Sequence, residues 1–168
     1  MNKKFVSVLV CLFIFSSAYL AFGQYKPGFF GGQSKVQAPD FSLKDIYGKT
    51  FKLSSQRGNP VIMFFGATWC GVCRAEMPNY KYLYDRYAQR GLKFLYIDVN
   101  ESPERVARFA KQNSFPYLVL VDEHGSVADD YNLIGVPTLV LLDKAGNIVD
   151  ISHRIADLSL EKIFPAKK

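Results

Sequence analysis

Phe65-Gly66-Ala67-Thr68-Trp69-Cys70-Gly71-Val72-Cys73-Arg74-Ala75-Glu76-Met77-Pro78 is the stretch that decides the fold, because an apolar run ends in it and a helical pattern begins. The run at 61–65 is short, apolar and bounded by Pro60 and Gly66, which predicts a strand buried on both faces. Two cysteines then follow at Cys-x-x-Cys spacing. The stretch therefore predicts a buried strand that leads a cysteine pair into the first turn of a helix.

The position of this cysteine pair favours redox chemistry. The first turn of a helix offers free amide N–H groups and the positive end of the helix dipole, and both stabilise a thiolate. A free cysteine titrates near ~8.5, whereas cysteines of such pairs at helix starts titrate at roughly 3.5–7. The spacing also brings the two Cα atoms within the roughly 4.4–6.8 Å that a disulfide needs. Cys70 is thus expected to be acidic and to cycle with Cys73 between dithiol and disulfide.

Two cysteines at this spacing have three alternatives to redox chemistry. They could be half of a zinc site, a structural disulfide or a chance pairing. A zinc site usually needs a second cysteine pair or two histidines at ligand spacing. Here the third cysteine, Cys11, lies in an apolar N-terminal segment, and His124 and His153 stand alone. We therefore expect no bound metal and favour a redox-active Cys70–Cys73 disulfide.

Further motifs lie on both sides of the cysteine pair. They are Ala38-Pro39-Asp40-Phe41-Ser42-Leu43, Tyr47-Gly48-Lys49, Ala67-Thr68-Trp69-Cys70, Arg74-Ala75-Glu76-Met77-Pro78 and Val136-Pro137-Thr138. Together they resemble the thioredoxin superfamily and, more narrowly, the TlpA/ResA-like extracytoplasmic thiol-disulfide oxidoreductases. The resemblance covers roughly residues 36–164, and the combined motifs are far more specific than a lone Cys-x-x-Cys pair.

The resemblance implies a thioredoxin-like α/β fold with a mixed central sheet flanked by helices. Alternation of apolar and polar residues around Tyr47-Gly48-Lys49 predicts an N-terminal β-hairpin extension. A helix opened by Ser102-Pro103 and a strand at 117–121 correspond to the central helix-strand insertion that distinguishes TlpA/ResA-like proteins from plain thioredoxin. A hairpin at 138–151 and a last short helix at 158–164 complete the predicted domain.

Each step of disulfide exchange has a candidate residue. Cys70, at the helix start, is expected to attack, and Cys73, one turn further and more buried, to resolve the mixed disulfide. The resemblance implies a cis Val136–Pro137 bond across from the cysteines, which offers the Val136 backbone to substrate and keeps metals off the thiols. Trp69 is expected to pack beside the site and shield the thiolate, and to bind substrate together with Val136 and Pro137.

Glu76 is the candidate for proton transfer. It lies one turn beyond Cys73, and the resemblance implies that a glutamate in this position titrates near the thiols. Plain thioredoxin instead uses a buried aspartate in the preceding strand, at the position that Phe64 occupies here. Glu76 is therefore predicted to relay protons to Cys73, and a surface glutamate that interacts with the helix dipole is the alternative.

The N-terminal residues predict export. Residues 1–23 combine a basic start, an apolar run and small residues before position 24, which is the pattern of a signal peptide. The apolar run at 5–22 approaches the ~18 residues that can span a bilayer, so an uncleaved membrane anchor is the alternative. A glycine-rich linker at 24–37 would precede the thioredoxin-like domain at 38–164. The expected location is the periplasm or the extracytoplasmic face of the inner membrane.

The resemblance implies an extracytoplasmic thiol-disulfide oxidoreductase that needs no cofactor. It would reduce disulfides of exported proteins such as apocytochrome c, with electrons from a membrane thiol transporter. Nucleic-acid binding is not expected, because the net charge of +6 is scattered and forms no basic groove interleaved with aromatic residues.

Two other functions stay open. A thioredoxin-fold copper chaperone would use soft cysteine and histidine ligands, but those proteins place three residues between the cysteines, and here only His153 is late enough in the chain. A peroxiredoxin-like peroxidase would suit Ala38-Pro39-Asp40-Phe41, but its reactive cysteine follows a proline, and residues 63–69 contain none.

Overall fold

One mixed sheet organises the part of the chain that the computed structural model describes, residues 35–165. Its strands are β1 (Ser42–Asp45), β2 (Thr50–Lys52), β3 (Val61–Gly66), β4 (Lys93–Val99), β5 (Leu118–Asp122), β6 (Thr138–Leu142) and β7 (Ile148–Ser152). They are ordered β2-β1-β5-β4-β3-β6-β7. The helices are α1 (Gly71–Tyr87), α2 (Pro103–Gln112) and α3 (Ser126–Asp130). The predicted signal peptide and most of the predicted linker lie outside the described residues.

The centre of the sheet is parallel and its flanks are antiparallel. Strand β4 pairs in parallel with β3 and with β5, whereas β6 runs antiparallel to β3. All six residues of β3 are buried, as expected for an apolar run covered on both faces. The chain leaves β3 through α1, which confirms the predicted passage from a buried strand into a helix at the cysteines, and returns as the parallel strand β4 to complete a β-α-β unit.

The alternation of side chains along the strands divides the core between the two faces of the sheet. One face carries Ile62 and Phe64 of β3 with Phe94 and Tyr96 of β4, and α1 packs on it through Tyr80 and its neighbours. The opposite face carries Met63, Phe65, Leu95 and Ile97, and packs against α3 and Tyr131. The thioredoxin-like α/β architecture that the sequence predicts is therefore present.

Tyr80 fixes α1 on the sheet. Its side chain is fully buried, and its hydroxyl donates to the Leu95 carbonyl at 3.0 Å and lies 3.2 Å from the Ile62 carbonyl. The ring meets those of Phe64 and Tyr117 edge-on, with centroids 5.1 and 4.9 Å apart. Each such aromatic pair adds about 0.5–1.5 kcal/mol beyond its burial. One side chain thus holds the helix to the backbones of β3 and β4.

Both predicted additions to the thioredoxin core are present. Strands β1 and β2 form an antiparallel hairpin whose turn contains Gly48 at φ +83°, a conformation that glycine adopts without steric cost. The insertion consists of α2 and β5. Because β1 also pairs with β5, the hairpin extension is attached to the sheet through the inserted strand.

The last predicted helix, at 158–164, is wrong. Two short 3₁₀ turns, Ile155–Asp157 and Leu160–Lys162, stand there instead. Leu158 between them is extended, with φ −76° and ψ 124°, and the neighbouring Ser159 N–H donates to the Asp150 carboxylate at 2.7 Å. A contact to β7 thus interrupts the local helical pattern.

Within residues 35–165, no helix combines the length and the hydropathy that crossing a membrane requires.

Gly66 makes room for Tyr96 at the end of β3, and this space generates a prediction. A Cβ at position 66 would lie 2.7 Å from the Tyr96 Oη and 3.0 Å from two ring carbons. We expect Gly66→Ala to lower the free energy of unfolding by about 1–3 kcal/mol through overpacking, measured by urea denaturation. Gly71→Ala is the control, because its Cβ would meet nothing within 4 Å. Equal losses in the two variants would contradict this account.

Candidate active site

The cysteine pair lies at the junction of β3 and α1. Cys70 is the N-cap of α1, and its Sγ accepts a hydrogen bond from the Cys73 N–H at 3.0 Å. The two sulfurs form a disulfide with the Cα atoms 5.2 Å apart, inside the usual range. One free amide of the first helical turn, the Cys73 N–H, therefore points at the Cys70 Sγ, an arrangement that stabilises a thiolate.

Of the two cysteines in the pair, only Cys70 keeps contact with solvent. Cys73 is fully buried and Cys70 is 6% exposed, so Cys70 is more enclosed than its place at a helix start suggests. An incoming thiol or disulfide can reach the pair only at Cys70. This difference supports Cys70 as the attacking residue and Cys73 as the resolving one, which stays a prediction.

The segment after α3 supplies the opposite wall of the site. The Val136–Pro137 peptide bond is cis, as the resemblance implied, and the Val136 carbonyl oxygen lies 3.9 Å from the Cys70 Sγ. That carbonyl is therefore beside the reactive sulfur, where an extended substrate backbone could bind. Substrate binding by Val136 and Pro137 stays a prediction.

Trp69 differs from its expected role as a shield. Its indole is 63% exposed, so it presents an apolar surface to solvent more than it covers the sulfurs. With Leu133, Ile134 and Val136 it lines a groove of about 240 Å³ beside the cysteine pair. Ile134 on the rim is 93% exposed. These side chains offer an apolar contact surface next to Cys70.

His153 lies nearer to this wall than the sequence suggested. Its Nδ1 is 2.9 Å from the Pro137 carbonyl oxygen and 3.3 Å from the Thr138 hydroxyl. The antiparallel pairing of β6 with β7 brings these segments together, and separation along the chain gives no sign of it. The copper-chaperone alternative relied on His153 as a ligand, and here its Nδ1 contacts the cis-proline segment.

Glu76 lies half-buried on α1, one turn beyond Cys73. The Asn79 amide lies 3.4 Å from its carboxylate. The pKa of Arg154 is raised, chiefly by its hydrogen bond to Asp157 and to a smaller extent by the charge of Glu76. The charge of Glu76 thus contributes to stabilising the Arg154 guanidinium. Its role as a proton relay stays a prediction.

A buried glutamate that the sequence analysis missed holds the loop before Cys70. Glu101 accepts hydrogen bonds from the Thr68 backbone N–H and, at 2.7 Å, from the Thr68 hydroxyl. The Arg105 guanidinium completes the contact, with its Nε 2.7 Å from Glu101 and 3.0 Å from the Thr68 hydroxyl. Glu101 therefore fixes the backbone two residues before the reactive cysteine.

Asp98, at the end of β4, was missed as well. Its side chain is fully buried, and within residues 35–165 neither of its oxygens has a hydrogen-bond partner. Burial, followed by the negative charge of Glu101, raises its pKa from 3.8 to about 8. An isolated carboxylate costs too much to bury, so the group is a neutral acid at pH 7. Glu76 is thus not the only acid at this end of the domain.

The sequence did contain a signal for these two acids. Asp98 interrupts an apolar strand pattern near its end, and Glu101 follows three positions later. A carboxylate in a buried strand is rare unless it is paired or functional. Without the pairing of β3 with β4, however, nothing connects this strand to the loop that carries Cys70.

Three comparisons with known proteins agree with this geometry. A model of the AhpC/TSA family matches residues 35–151. The thiol-disulfide oxidoreductase ResA of Bacillus cereus is 31% identical over 153 residues, which cover 89% of this chain and 88% of that protein. A crystal structure of a thiol:disulfide interchange protein of the thioredoxin family from Chlorobium tepidum is 30% identical, with a TM-score of 0.65, covering 72% of this chain and 87% of that one.

The fold has a further counterpart among solved structures. The thioredoxin domain of a thiol-disulfide oxidoreductase from Bacteroides vulgatus superposes with a TM-score of 0.70 at 23% identity. The match covers 76% of this chain and 95% of the other. It shows that the two chains share a fold.

The fold and the cysteine site together define a thioredoxin-superfamily redox protein. The chain belongs to the AhpC/TSA family. Its sequence and its cysteine site also make it a member of the TlpA/ResA-like thiol-disulfide oxidoreductases. It is accordingly an enzyme that exchanges thiols and disulfides.

The raised pKa of Asp98 predicts an unusual pH dependence of stability. The folded protein binds a proton that the unfolded chain releases above about pH 4, so this contribution to stability is lost as the pH rises toward about 8. The slope is at most about 1.4 kcal/mol per pH unit. We therefore expect Asp98→Asn to gain stability relative to the wild type between these pH values.

Urea denaturation of the oxidised protein at several pH values measures this difference. Asp85→Asn, which makes the same substitution on the exposed face of α1, is the control, and the pH dependence of its stability should follow that of the wild type. Parallel curves for wild type and Asp98→Asn would show that Asp98 is already ionised in the folded protein at neutral pH.

Proposed function

We propose that this oxidoreductase works outside the cytoplasm and reduces disulfides of exported proteins, apocytochrome c among them. The observation that carries the proposal is the Cys70–Cys73 pair at the start of α1, with the Val136 carbonyl 3.9 Å from the Cys70 Sγ. The site is thus built to receive a disulfide beside an extended backbone. The resemblance to TlpA/ResA-like proteins supplies the direction and the class of substrate.

The reaction uses the pair in a fixed order. The Cys70 thiolate attacks one sulfur of the substrate disulfide, forms a mixed disulfide and expels the other substrate sulfur as a thiolate, which takes up a proton. Cys73 then attacks Cys70, which closes the Cys70–Cys73 disulfide and releases the second substrate thiol. Two electrons pass to the substrate in total. A membrane thiol transporter would supply two further electrons and so reduce the Cys70–Cys73 disulfide again.

Apolar side chains around Cys70 support protein substrates. Trp69, Val72 and Ile134 are exposed around a sulfur that is itself nearly buried. Such a surface gains free energy when it covers apolar side chains of an unfolded chain. A substrate that presents its disulfide in an extended, unfolded segment would bind here better than a folded protein.

The proposed location follows from the N-terminal sequence. Its basic start and apolar run are typical of a signal peptide, with an uncleaved anchor as the alternative. Disulfides persist mainly in such extracytoplasmic compartments, where a dedicated reductase has substrates.

Glu76 would serve this reaction by proton transfer. The resolving sulfur, Cys73, is fully buried, so it needs a nearby group to remove its proton. Glu76 lies one helical turn away and is half-buried. We propose that it relays the proton between Cys73 and solvent.

A peroxidase is the second candidate, because the matching family model is AhpC/TSA and covers residues 35–151. Hydrogen peroxide would then replace the substrate disulfide and oxidise Cys70 directly. Consumption of dithiothreitol that depends on peroxide and exceeds the rate of disulfide reduction would favour this function.

The reduction potential of the Cys70–Cys73 pair tests the direction of electron flow. A reductase should lie near the about −270 mV of thioredoxin, whereas a strong oxidant lies near about −120 mV. We expect the former value, measured by equilibration with dithiothreitol buffers. A potential near the oxidant value would make the protein a donor of disulfides.

The order of attack predicts different behaviour for the two cysteine variants. Cys70→Ser should abolish reduction of insulin or of a disulfide-bonded apocytochrome c. Cys73→Ser should accumulate a mixed disulfide, because the resolving thiol is missing. Non-reducing electrophoresis with mass spectrometry identifies the trapped adduct. Equal trapping by both variants would refute the assigned order.

A further inference from the structure

The buried acid Asp98 lies on the same face of the sheet as the cysteine helix. Its neighbours along β4, Phe94 and Tyr96, pack in the cluster that contains Cys70 and Cys73. Side chains two positions apart on a strand share a face, so Asp98 points to that side too. Its partner on β3 is Gly66, which begins the loop to Cys70. The acid is therefore placed beneath the active-site loop.

Several polar groups face Asp98. Tyr96 of β4 contributes a hydroxyl, the segment before α2 contributes the Glu101 carboxylate, and α2 contributes the Arg105 guanidinium. The two adjacent strands contribute no titratable group at this level, because the residues paired with Asp98 are Gly66 and Val121. From α1, Cys70 and Cys73 belong to the apolar cluster on this face of the sheet. The negative charge of Glu101 disfavours a negative charge on Asp98. The positive charge of the exposed Arg105 favours it, but offsets the effect of Glu101 only in part.

A short chain of contacts joins this acid to the reactive sulfur. Asp98 neighbours Glu101, and Glu101 holds both the backbone N–H and the hydroxyl of Thr68. Two residues later the Cys70 N–H donates to the Ala67 carbonyl at 3.1 Å. A charge on Asp98 therefore lies one strand pairing away from Gly66, where the loop to Cys70 begins, and next to the carboxylate that fixes this loop.

We propose that Asp98 is a redox-linked proton-binding residue, which takes up a proton when the Cys70–Cys73 disulfide is reduced and gives it up when the disulfide forms again. It is a positioning residue and touches no substrate. The role is distinct from that of Glu76, which lies on the helix and half-exposed, whereas Asp98 is fully enclosed between sheet and loop.

The reaction balances with a dithiol as the reductant. Dithiothreitol transfers two electrons and two protons, closes to its cyclic disulfide, and opens the Sγ–Sγ bond of the protein. When Cys70 stays a thiolate, Cys73 keeps one proton and the second is left over. In molecules where Asp98 is ionised, that proton binds Asp98, and in the others it enters the solvent.

The sign of the coupling follows from like charges. A thiolate at Cys70 disfavours the charged form of Asp98 and raises the pKa of its carboxyl further. By linkage, an ionised Asp98 disfavours the thiolate to the same extent, so the protein becomes harder to reduce as the pH rises through the titration of Asp98. At pH 7 the neutral acid does not repel the Cys70 thiolate. In alkaline solution the ionised acid does, and it destabilises the thiolate.

Carbon-13 NMR of aspartate-labelled protein tests the proposal on the intact domain. In the oxidised wild type the Asp98 carboxyl signal, assigned through its own backbone, should titrate near pH 8. After reduction its midpoint should move to higher pH. A midpoint below pH 5, or the same midpoint in both redox states, would overturn the proposal. This measurement needs no variant, so it holds even where Asp98→Asn folds poorly.

Proton release gives an independent measure. During reduction by dithiothreitol at pH 8 in weakly buffered solution with a pH indicator, the wild type should release fewer protons per disulfide than Asp98→Asn. The difference should be a fraction of one proton and should shrink at pH 6, where Asp98 is already protonated. Asp85→Asn is the matched control, because it makes the same substitution at an exposed site and should behave as the wild type.

The same experiment separates the two acids. Glu76→Gln should leave the difference between wild type and Asp98→Asn in place, since the proposal assigns that proton to Asp98. If Glu76→Gln alters the proton count and Asp98→Asn does not, the redox-linked proton belongs to Glu76 and the proposal is wrong.

Discussion

The packing of α1 across β3 and β4 is the constraint on which the rest of the site depends. Tyr80 anchors the helix, because its ring is enclosed by aromatic neighbours and its hydroxyl reaches the backbone of both strands. This contact fixes where the helix begins, and its first turn stands at the end of β3. The position of Cys70 as N-cap, with its Sγ beside the Cys73 N–H, is a consequence. A thiolate there is stabilised by amide groups that the helix leaves free.

The same junction buries two acids, Asp98 beside Gly66 and Glu101 beside Thr68, at a cost in desolvation. Glu101 offsets that cost by accepting two hydrogen bonds from Thr68 and pairing with Arg105. Asp98 has no such compensation within the described residues, and it avoids the cost by staying protonated. A neutral acid and a bound anion side by side are the usual result when two carboxyl groups share a buried site. The protein therefore holds a proton close to its redox pair.

Much of the fold was predictable because the signals are local. The apolar run at 61–65, the Cys-x-x-Cys spacing and the hairpin around Gly48 each contain their own physical reason in a few residues. The last helix failed for the opposite reason, since Asp150 of β7 captures the Ser159 N–H and ends the helical pattern. The contact of His153 with Pro137 and the place of Asp98 next to the β3–α1 loop were missed because these partners are distant along the chain.

The sequence by itself determined the class of chemistry. Two cysteines at that spacing, at the start of a helix, usually form a reversible disulfide when no further metal ligands accompany them. It also determined the order of the main strands and helices, since hydrophobic periodicity depends only on neighbouring residues. The tertiary structure alone decided which acids surround the sulfurs and which apolar side chains line the groove. Burial and charge interaction depend on distances in space, and the pairing of β3 with β4 and β6 sets those distances.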